Sequence, residues 1–396
     1  MLNIFSHIVC LQIINIAFTL SGQGIFDQIA GHPIIGVHKN VHDRAGKKLY
    51  INYTEVIFEA QPHIFWFGSF FGLYKFDEKL NLWTDFRSQK EQIFFESVKA
   101  ICQDLSGKIW LKSSRSQLRY FDGRKWNKPN MVLGTIPIEK SHTIVTGIDG
   151  RLWFITNFGI ISYDGQTFAA PIIPSIDVEK KYAEIPIKYR NQAEKNWAVV
   201  SAQIDEKHSP VSPLNTKERD SATLNSSALL SAISCRQQDR DGIIWFGTRK
   251  AILNYCPETG KWNIYPLPTN LIEVTLIYED RRGQLWFADN NGHLAVYNLK
   301  DKYWKSYDLT VYFPQIQPQS ITSIYQDRAG IIMIGTNEGL IIFNEKDGIW
   351  KMVGNQKELF PIYKELFPIY NVGTIFEDSK SRIWISTNNG IIVLAP

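Results

Sequence analysis

The fold is decided by residues 274–308, which begin Val274-Thr-Leu-Ile-Tyr278-Glu-Asp-Arg-Arg-Gly283-Gln-Leu-Trp-Phe-Ala288. The two ends of this stretch have the alternating, β-branched and aromatic composition of strands, and the Asp and Gly between them are typical of a tight turn. A loop ending at Gly292 is followed by two more strand-like stretches, 293–297 and 303–307. The pattern predicts four antiparallel strands, and such a sheet buries both its faces only by packing against neighbouring sheets.

The same unit recurs along the chain, where all twelve tryptophans fall on one of two positions of the repeat. The first position usually follows a Gly-x-Ile/Leu pattern and is occupied by Trp66, Trp110, Trp153, Trp197, Trp245, Trp286 and Trp384, with Met333 in the same register. The second position lies 16 to 18 residues later, at Trp83, Trp126, Trp262, Trp304 and Trp350. Successive first positions are 41 to 51 residues apart, a spacing that predicts an all-β β-propeller.

The blade count follows from these positions. Eight occupied positions predict eight four-stranded antiparallel blades in a single domain spanning residues 25–396. The alternative is seven blades, because the unit at Trp197 lacks the hairpin glycine and the second tryptophan. Residues 205–231 beyond it are rich in Ser, Pro, Lys, Glu and Asn, which is typical of a long excursion or a degenerate half-blade.

Ring closure can be argued from the two ends of the chain. The final unit stops after its third strand, so its fourth strand must come from elsewhere. We predict that Lys47-Lys-Leu-Tyr-Ile-Asn-Tyr53 supplies this strand and hides an open sheet edge. In the alternative interpretation, residues 43–50 are a repeat unit of their own and the chain is a segment of a longer array. The last spacing of 51 residues contains a tandem heptad, residues 357–363 and 364–370, of a kind that connectors tolerate.

The N-terminus predicts export. Residues 8–20 are apolar except Gln12, Asn15 and Thr19, and Ser21-Gly-Gln-Gly24 follows. We interpret residues 1–24 as a secretory signal peptide and expect a periplasmic or extracellular protein. The net charge is only +4, without a basic stripe, which excludes nucleic acid as an expected partner.

The search for catalytic residues gives a negative expectation. No phosphate-binding loop, Gly-x-Ser-x-Gly elbow or kinase signature occurs. His38 and His42 are close in sequence but lie in a loop-like or strand-like stretch, and the cysteines have no metal-site spacing. The Asp-x-x-Gly motifs supply too few oxygens for calcium and are better explained as turns. We therefore predict a protein that is not an enzyme and has no catalytic residues, metal or cofactor.

Two units carry a family resemblance. Asp239-Arg-Asp-Gly-Ile-Ile-Trp-Phe-Gly-Thr248 and Asp327-Arg-Ala-Gly-Ile-Ile-Met-Ile-Gly-Thr-Asn-Glu-Gly-Leu340 resemble the two-component regulator propeller repeat, and the resemblance covers roughly residues 53 to 396. It implies the periplasmic sensing portion of a hybrid histidine kinase, often associated with oligosaccharides. Full sensors continue into another all-β domain, a membrane helix and a kinase. The expectation is thus a sensor propeller without its own kinase, with a small-molecule ligand such as an oligosaccharide and a separate membrane kinase or another protein as partner.

The candidate binding residues lie on one face. In a propeller, the loops between second and third strands share a face with the connectors between blades, and aromatic rings beside amides suit a sugar. The predicted site comprises Phe70, Phe71, Asn157, Arg249, Asn290, Asn291, Asn337, Glu338, Asn388, Asn389, Tyr312 and Phe313. The structural alternative is that the asparagines only serve hairpins that need left-handed backbone. The functional alternatives are a protein-protein interaction scaffold and, more remotely, a propeller lyase.

Overall fold

The computed structural model describes residues 28–30, 32–86, 97–114, 118–129, 132–133, 136–137, 141, 143–156, 159–169, 233–249, 251–268, 270–314, 321–353 and 369–396. Within these ranges the chain forms seven antiparallel sheets that are the blades of a propeller, and one small two-stranded sheet. The predicted all-β propeller of four-stranded blades is thereby confirmed as an architecture. The predicted signal peptide, Asn157, the segment around Trp197 and most of the tandem heptad lie outside the described residues.

The first three blades occupy the N-terminal half of the chain. Blade 1 comprises Thr54–Gln61 (β3), Ile64–Ser69 (β4), Gly72–Asp77 (β5) and Leu82–Asp85 (β6). Blade 2 comprises Val98–Gln103 (β7), Ile109–Ser113 (β8), Leu118–Phe121 (β9) and Trp126–Asn127 (β10). Val132–Leu133 (β11) and Ile136–Pro137 (β12) form the small sheet. Blade 3 comprises Thr143–Thr146 (β13), Leu152–Thr156 (β14) and Gly159–Tyr163 (β15).

The other four blades complete the ring. Blade 4 comprises Ile233–Gln238 (β16), Ile244–Thr248 (β17), Ala251–Cys256 (β18) and Lys261–Pro266 (β19). Blade 5 comprises Leu276–Glu279 (β20), Gln284–Ala288 (β21), His293–Asn298 (β22) and Tyr303–Asp308 (β23), followed by the helical turn Leu309–Tyr312 (α1). Blade 6 comprises Ile321–Gln326 (β24), Ile331–Thr336 (β25), Gly339–Asn344 (β26) and Ile349–Val353 (β27). Blade 7 contains Ile375–Glu377 (β28), Ile383–Thr387 (β29) and Gly390–Leu394 (β30), with His32–His38 (β2) and Gln28–Ile29 (β1) added at its outer edge.

The prediction of eight blades is wrong, because blades 3 and 4 pack directly on each other. A single hydrophobic cluster joins Trp153 and Ile155 of blade 3 to Phe246 of blade 4. Arg236 Nη2 of blade 4 also donates to the carbonyl oxygen of Ile144 at 2.8 Å. These contacts occupy the position where a blade built on Trp197 would have to stand. In the described residues the ring has seven blades and one hydrophobic cluster at each of its seven interfaces.

The strand that closes the ring also differs from the prediction. The fourth strand of blade 7 is β2, residues 32–38, which pairs antiparallel with β30, whereas residues 47–53 pair with neither edge of that sheet. The latter residues instead place Leu49 and Ile51 in the cluster between blades 7 and 1. The apolar side chains that suggested a strand therefore serve as core contacts of an irregular segment.

One aspartate organises most of the repeat turns. Asp239 Oδ1 accepts from the backbone N–H groups of Asp241 and Ile243, and its Oδ2 accepts from Trp245 Nε1 at 2.7 Å. The same indole bond recurs in Asp104–Trp110, Asp280–Trp286 and Asp378–Trp384. This geometry explains the Asp-x-x-Gly motif as a turn tied to the core. Among the described residues no group of three or more His, Cys, Asp or Glu side chains could hold a metal ion.

The turns also bind each blade to the next. The backbone N–H that follows the turn aspartate, or its equivalent, donates to a Gln or Glu at the end of the next blade's first strand. This occurs between Ile148 and Gln238, Arg240 and Glu279, Arg281 and Gln326, and Ser379 and Glu59. The last of these contacts crosses from blade 7 to blade 1, so the series of bonds continues across the closure.

Candidate functional site

The candidate site lies on the face that carries the loops between second and third strands, which we call the hairpin face. In blades 1, 6 and 7 these loops are residues 70–71, 337–338 and 388–389. A cavity of about 420 Å³, the first pocket, opens there where these three blades meet. It is lined by Tyr53, Thr54, Glu55, Phe70, Phe71, Thr322, Asn337, Asn371, Val372 and Gly373. Because the first strands of neighbouring blades contact one another, the ends of β3 and β24 place this pocket beside the centre of the ring.

Aromatic side chains gather at the mouth of the first pocket. Phe70 is 60% exposed, and Phe71, Tyr50 and Tyr53 are also exposed. Phe71 is the centre of the group, with ring centroids 5.5 Å from Phe70, 5.9 Å from Tyr50 and 6.3 Å from Tyr53. Folding usually buries such rings, so an exposed group beside a cavity is a candidate binding surface. We call these four residues the aromatic cluster.

Backbone strain is present at the same place. Tyr53 and Asn371, which both line the first pocket, have φ of 59° and 48°. A bulky residue such as Tyr is rarely found in this left-handed region, and such residues concentrate at functional sites. The N–H of Asn371 also donates to the carbonyl oxygen of Asn337 at 2.8 Å. The strained backbone holds the connector between blades 6 and 7 against the hairpin of blade 6.

The polar groups of the first pocket are suited to binding rather than to proton transfer. Its carboxylate, Glu55, forms an ion pair with Lys99 at 2.5 Å and accepts from Ser97 Oγ at 3.1 Å. No histidine or lysine is among the described residues that line this pocket. A carboxylate neutralised in this way is poorly placed to act as a general base.

A second cavity of about 210 Å³, the second pocket, lies beside the first. It is lined by Lys39, Asn40, Lys48, Leu49, Tyr50, Ile51, Asn52, Asn388, Asn389 and Gly390. The chain from 48 to 52 lines the second pocket and continues through 53 to 55 into the first, so the two cavities share a wall. Asn388 Oδ1 accepts from Tyr370 N at 2.9 Å and braces the hairpin between the pockets.

The structure brings together only part of the predicted site. Phe70, Phe71 and Asn337 line the first pocket, and Asn388 and Asn389 line the second. Positive φ in these hairpins falls on the glycines Gly72, Gly339 and Gly390, not on the asparagines before them. The asparagine side chains are therefore not explained by a need for left-handed backbone.

The other predicted residues lie away from both pockets. Arg249 forms an ion pair with Glu273 at 3.2 Å, and the N–H of Asn291 donates to Asp289 within the hairpin of blade 5, which also contains Asn290. Tyr312 stacks on Trp350 with ring centroids 5.3 Å apart, and Phe313 packs against the core between blades 5 and 6. Glu338 donates its N–H to Thr336 Oγ1 and is absent from the described lining of both pockets.

Sequence reasoning missed the residues that join the two pockets. Tyr50, Tyr53 and Lys48 lie in the segment that was expected to be the closing strand, and Lys39 follows the strand that closes the ring. The composition of residues 47–53, with two lysines, one asparagine and two tyrosines, is unlike the repeat. This difference in composition was the signal in the sequence that could have pointed to these residues.

The opposite face carries a charge network at the interface of blades 7 and 1. Glu78 binds Arg382, His63 and Lys380. Burial opposes the charged form of Glu78, but hydrogen bonds from these three partners hold its pKa at about 2. These charges stabilise the closure rather than facing either pocket.

Comparison with known proteins is consistent with the resemblance found in the sequence. Residues 229–250, 315–338 and 367–389 match the family model of the two component regulator propeller, which confirms that this chain carries those repeats. No curated protein matches the chain.

Solved structures share the fold at low identity. The extracellular domain of a protein from B. thetaiotaomicron described as a hybrid two component system matches with a TM-score of 0.59 and 17% identity, over 90% of this chain and 39% of that structure. A second such domain from the same organism has a TM-score of 0.57 and 16% identity, over 87% and 40% of the two chains. Virginiamycin B lyase from Staphylococcus aureus has a TM-score of 0.54 and 12% identity, over 87% and 95%. At these identities the likeness shows the propeller fold alone, and this chain spans about two fifths of the two-component structures.

Proposed function

We propose that this protein is an exported sensory propeller that binds a small ligand, with an oligosaccharide as the ligand class, in the first pocket. The observation that carries the proposal is the aromatic cluster at the mouth of a 420 Å³ cavity. Sugar rings present flat C–H faces that stack on aromatic rings, and their hydroxyls bond to amides such as those of Asn337 and Asn371. The extracellular origin of the two-component structures supports export. No helix in the described part of the chain is long and apolar enough to cross a membrane.

A sensory role is favoured over catalysis by the chemistry of the pocket. The likeness to virginiamycin B lyase is one of fold. Among the described residues that line the first pocket, the ionisable side chains are those of Glu55 and Tyr53, and none is a histidine. Glu55 forms an ion pair with Lys99. A lyase needs a base that is free to take a proton from its substrate. The transfer of the signal to a separate membrane kinase or another protein is part of the proposal.

The proposal is tested by thermal shift of the purified protein with an oligosaccharide panel. A ligand at a hundredfold excess over its dissociation constant adds about 2.7 kcal/mol of stability. We expect Phe71→Ala to weaken binding of the active sugar about tenfold, equivalent to about 1.4 kcal/mol, because it removes the centre of the aromatic cluster. Tyr303→Ala is the matched control, because Tyr303 is 50% exposed and lies at the opposite face.

Two results would contradict the proposal. Equal losses of affinity in the Phe71 and Tyr303 variants would show that the sugar binds elsewhere. A protein that melts cooperatively but is not shifted by any sugar would favour the protein-interaction alternative.

A further inference from the structure

We propose that Arg236 forms an anion-binding site beside the axis of the ring, and that this site takes a small oxyanion, a carboxylate or a phosphate. Arg236 lies on β16 of blade 4 and is not among the described residues that line either pocket. The inference therefore goes beyond the proposed function and does not depend on it.

The register of the inner strands sets Arg236 apart. The first strand of each blade is its innermost strand, and one residue on it pairs with the residue that follows the repeat tryptophan or Met333. In blade 4 this residue is Arg236, which pairs with Phe246. In the other six blades it is an isoleucine, namely Ile57, Ile101, Ile144, Ile277, Ile324 and Ile375. One arginine thus interrupts a belt of isoleucines around the axis, which we call the axial belt.

A hydrogen bond places the guanidinium group of Arg236 at the axis. β13 is the inner strand of blade 3 and pairs only with β14, so its other edge faces the centre of the ring. At that edge the carbonyl oxygen of Ile144 accepts from Arg236 Nη2 at 2.8 Å. The other five isoleucines of the axial belt are 5–8% exposed, whereas Ile144 is 1% exposed. The belt therefore borders a narrow axial channel, as is usual in propellers, and Arg236 covers its edge at blade 3.

The positive charge of Arg236 is not balanced by a carboxylate among the described residues. Its Nε is buried and has no hydrogen-bond partner. Burial lowers the pKa of Arg236, and the groups that oppose this shift are the thiols of Cys102 and Cys235. Glu279, on the inner strand of blade 5, is bonded to Arg240 instead. Since a guanidinium group stays charged in proteins, its burial without a counterion carries a large desolvation penalty, which a bound anion offsets.

The guanidinium group also indicates which kind of anion fits. Its planar arrangement of N–H groups matches the paired oxygens of a carboxylate or phosphate, which accept two parallel hydrogen bonds. Among the described contacts one N–H group of Arg236 is used, by Ile144, so an adjacent pair that includes Nε is left for an oxyanion. The isoleucines on either side exclude water, and charge-assisted hydrogen bonds are stronger in such surroundings.

The test follows denaturant unfolding of the full protein as inorganic phosphate, formate or chloride is added at millimolar concentration. We expect phosphate and formate to raise the free energy of unfolding saturably, as a ligand of the folded state does, and chloride to have a smaller effect. Arg236→Ile, which completes the axial belt, should abolish this response. Arg236→Lys keeps the charge without the planar fork and should weaken phosphate binding about tenfold, equivalent to about 1.4 kcal/mol.

Arg240→Met is the matched control, because Arg240 lies in the same blade and is paired with Glu279. It should keep the full response, so the comparison removes the general effect of salts on stability. A response that persists in Arg236→Ile, or that both variants lose equally, overturns the site, as does a wild type that responds to none of the three anions. A saturable response to chloride as strong as that to phosphate overturns the assignment to oxyanions. If Arg236→Ile does not fold, Arg236→Lys decides, since an unchanged phosphate affinity in that variant contradicts binding by the guanidinium fork. Sugar binding is measured without added anion, so its failure would overturn the proposed function alone.

Discussion

At the scale of single residues, the turn aspartates connect local backbone geometry to the core. In blade 6, Met333 stands where other blades have tryptophan, and the turn carboxylate of Asp327 is bound by His32 Nε2 at 3.0 Å instead. His32 lies on the closing strand, β2, and its Nδ1 also bonds the carbonyl oxygen of Ala395 at 2.9 Å. The loss of one indole donor is thus offset by a donor from the N-terminal strand.

Removal of a turn aspartate should destabilise the protein strongly. Asp239→Ala leaves the indole N–H of Trp245 buried without an acceptor and removes two backbone bonds, so we expect a loss of about 2–4 kcal/mol in the free energy of unfolding. Denaturant unfolding measures this loss. The control is Asp164→Ala, because Asp164 accepts two backbone N–H groups in an exposed turn without an indole bond. Equal losses in the two variants would show that the indole bond contributes nothing.

His38 should make the stability dependent on pH. Its ring stacks on Trp384 and contacts Phe76 and Trp83. Burial lowers the pKa of His38 to about 4, with Glu78 opposing this shift and Arg382 adding to it. The unfolded chain, with a pKa near 6.5, binds the proton more readily, so stability is lost as the pH falls from about 6.5 to about 4, by at most about 3 kcal/mol.

The variant His38→Phe isolates this effect. It keeps an aromatic ring in the stack and removes the titrating group. Denaturant unfolding between pH 7 and pH 4 should show a smaller decline for the variant than for the wild type. Identical declines would assign the pH dependence to other groups.

At the scale of elements, the closing strand β2 depends on a close approach to blade 7. Gly390 has φ of 125°, and a Cβ there would lie 2.3 Å from the carbonyl oxygen of His38. The glycine permits β2 to lie against the hairpin that begins β30.

The variant Gly390→Ala should therefore release β2 from its sheet. We expect a loss of about 2–4 kcal/mol, from backbone strain and from the clash with β2, together with faster proteolysis of residues 28–40. Gly123→Ala separates the two causes, because Gly123 has φ of 92° but open space around its Cβ position, and it should lose only about 1 kcal/mol. Similar losses in both variants, with β2 still protected from protease, would contradict this role.

The strands and hairpins also show how much of the fold and of the candidate site could be predicted from the sequence. The blades could be predicted, because in most repeats the turn aspartate bonds to residues only a few positions further along the chain. The blade count could not, because it depends on the packing of Trp153 against Phe246 across the residues between them. Predicted site residues on hairpins, such as Phe70 and Asn388, line the two pockets. Lys39 and Tyr50 also line a pocket but were not predicted, because their place depends on which N-terminal segment closes the ring.

At the scale of the whole molecule, the two faces of the ring differ in chemistry. The opposite face is crossed by ion pairs between neighbouring blades, including Arg240–Glu279, Arg328–Glu377 and Arg382–Glu78. The hairpin face of blades 6, 7 and 1 instead presents aromatic rings, amides and two cavities. The ion pairs form a base that fixes the relative positions of the blades beneath the proposed ligand site.

The pairing of β2 with β30 also has a consequence for biosynthesis. β30 is the last strand of the described chain to leave the ribosome, and its partner is among the first. Throughout synthesis β2 therefore lacks its partner, and the contact is made only after translation of the other strands is complete. Bringing together segments so far apart carries a large loop-closure entropy and slows folding. The ring thus stays open until both ends of the described chain have met.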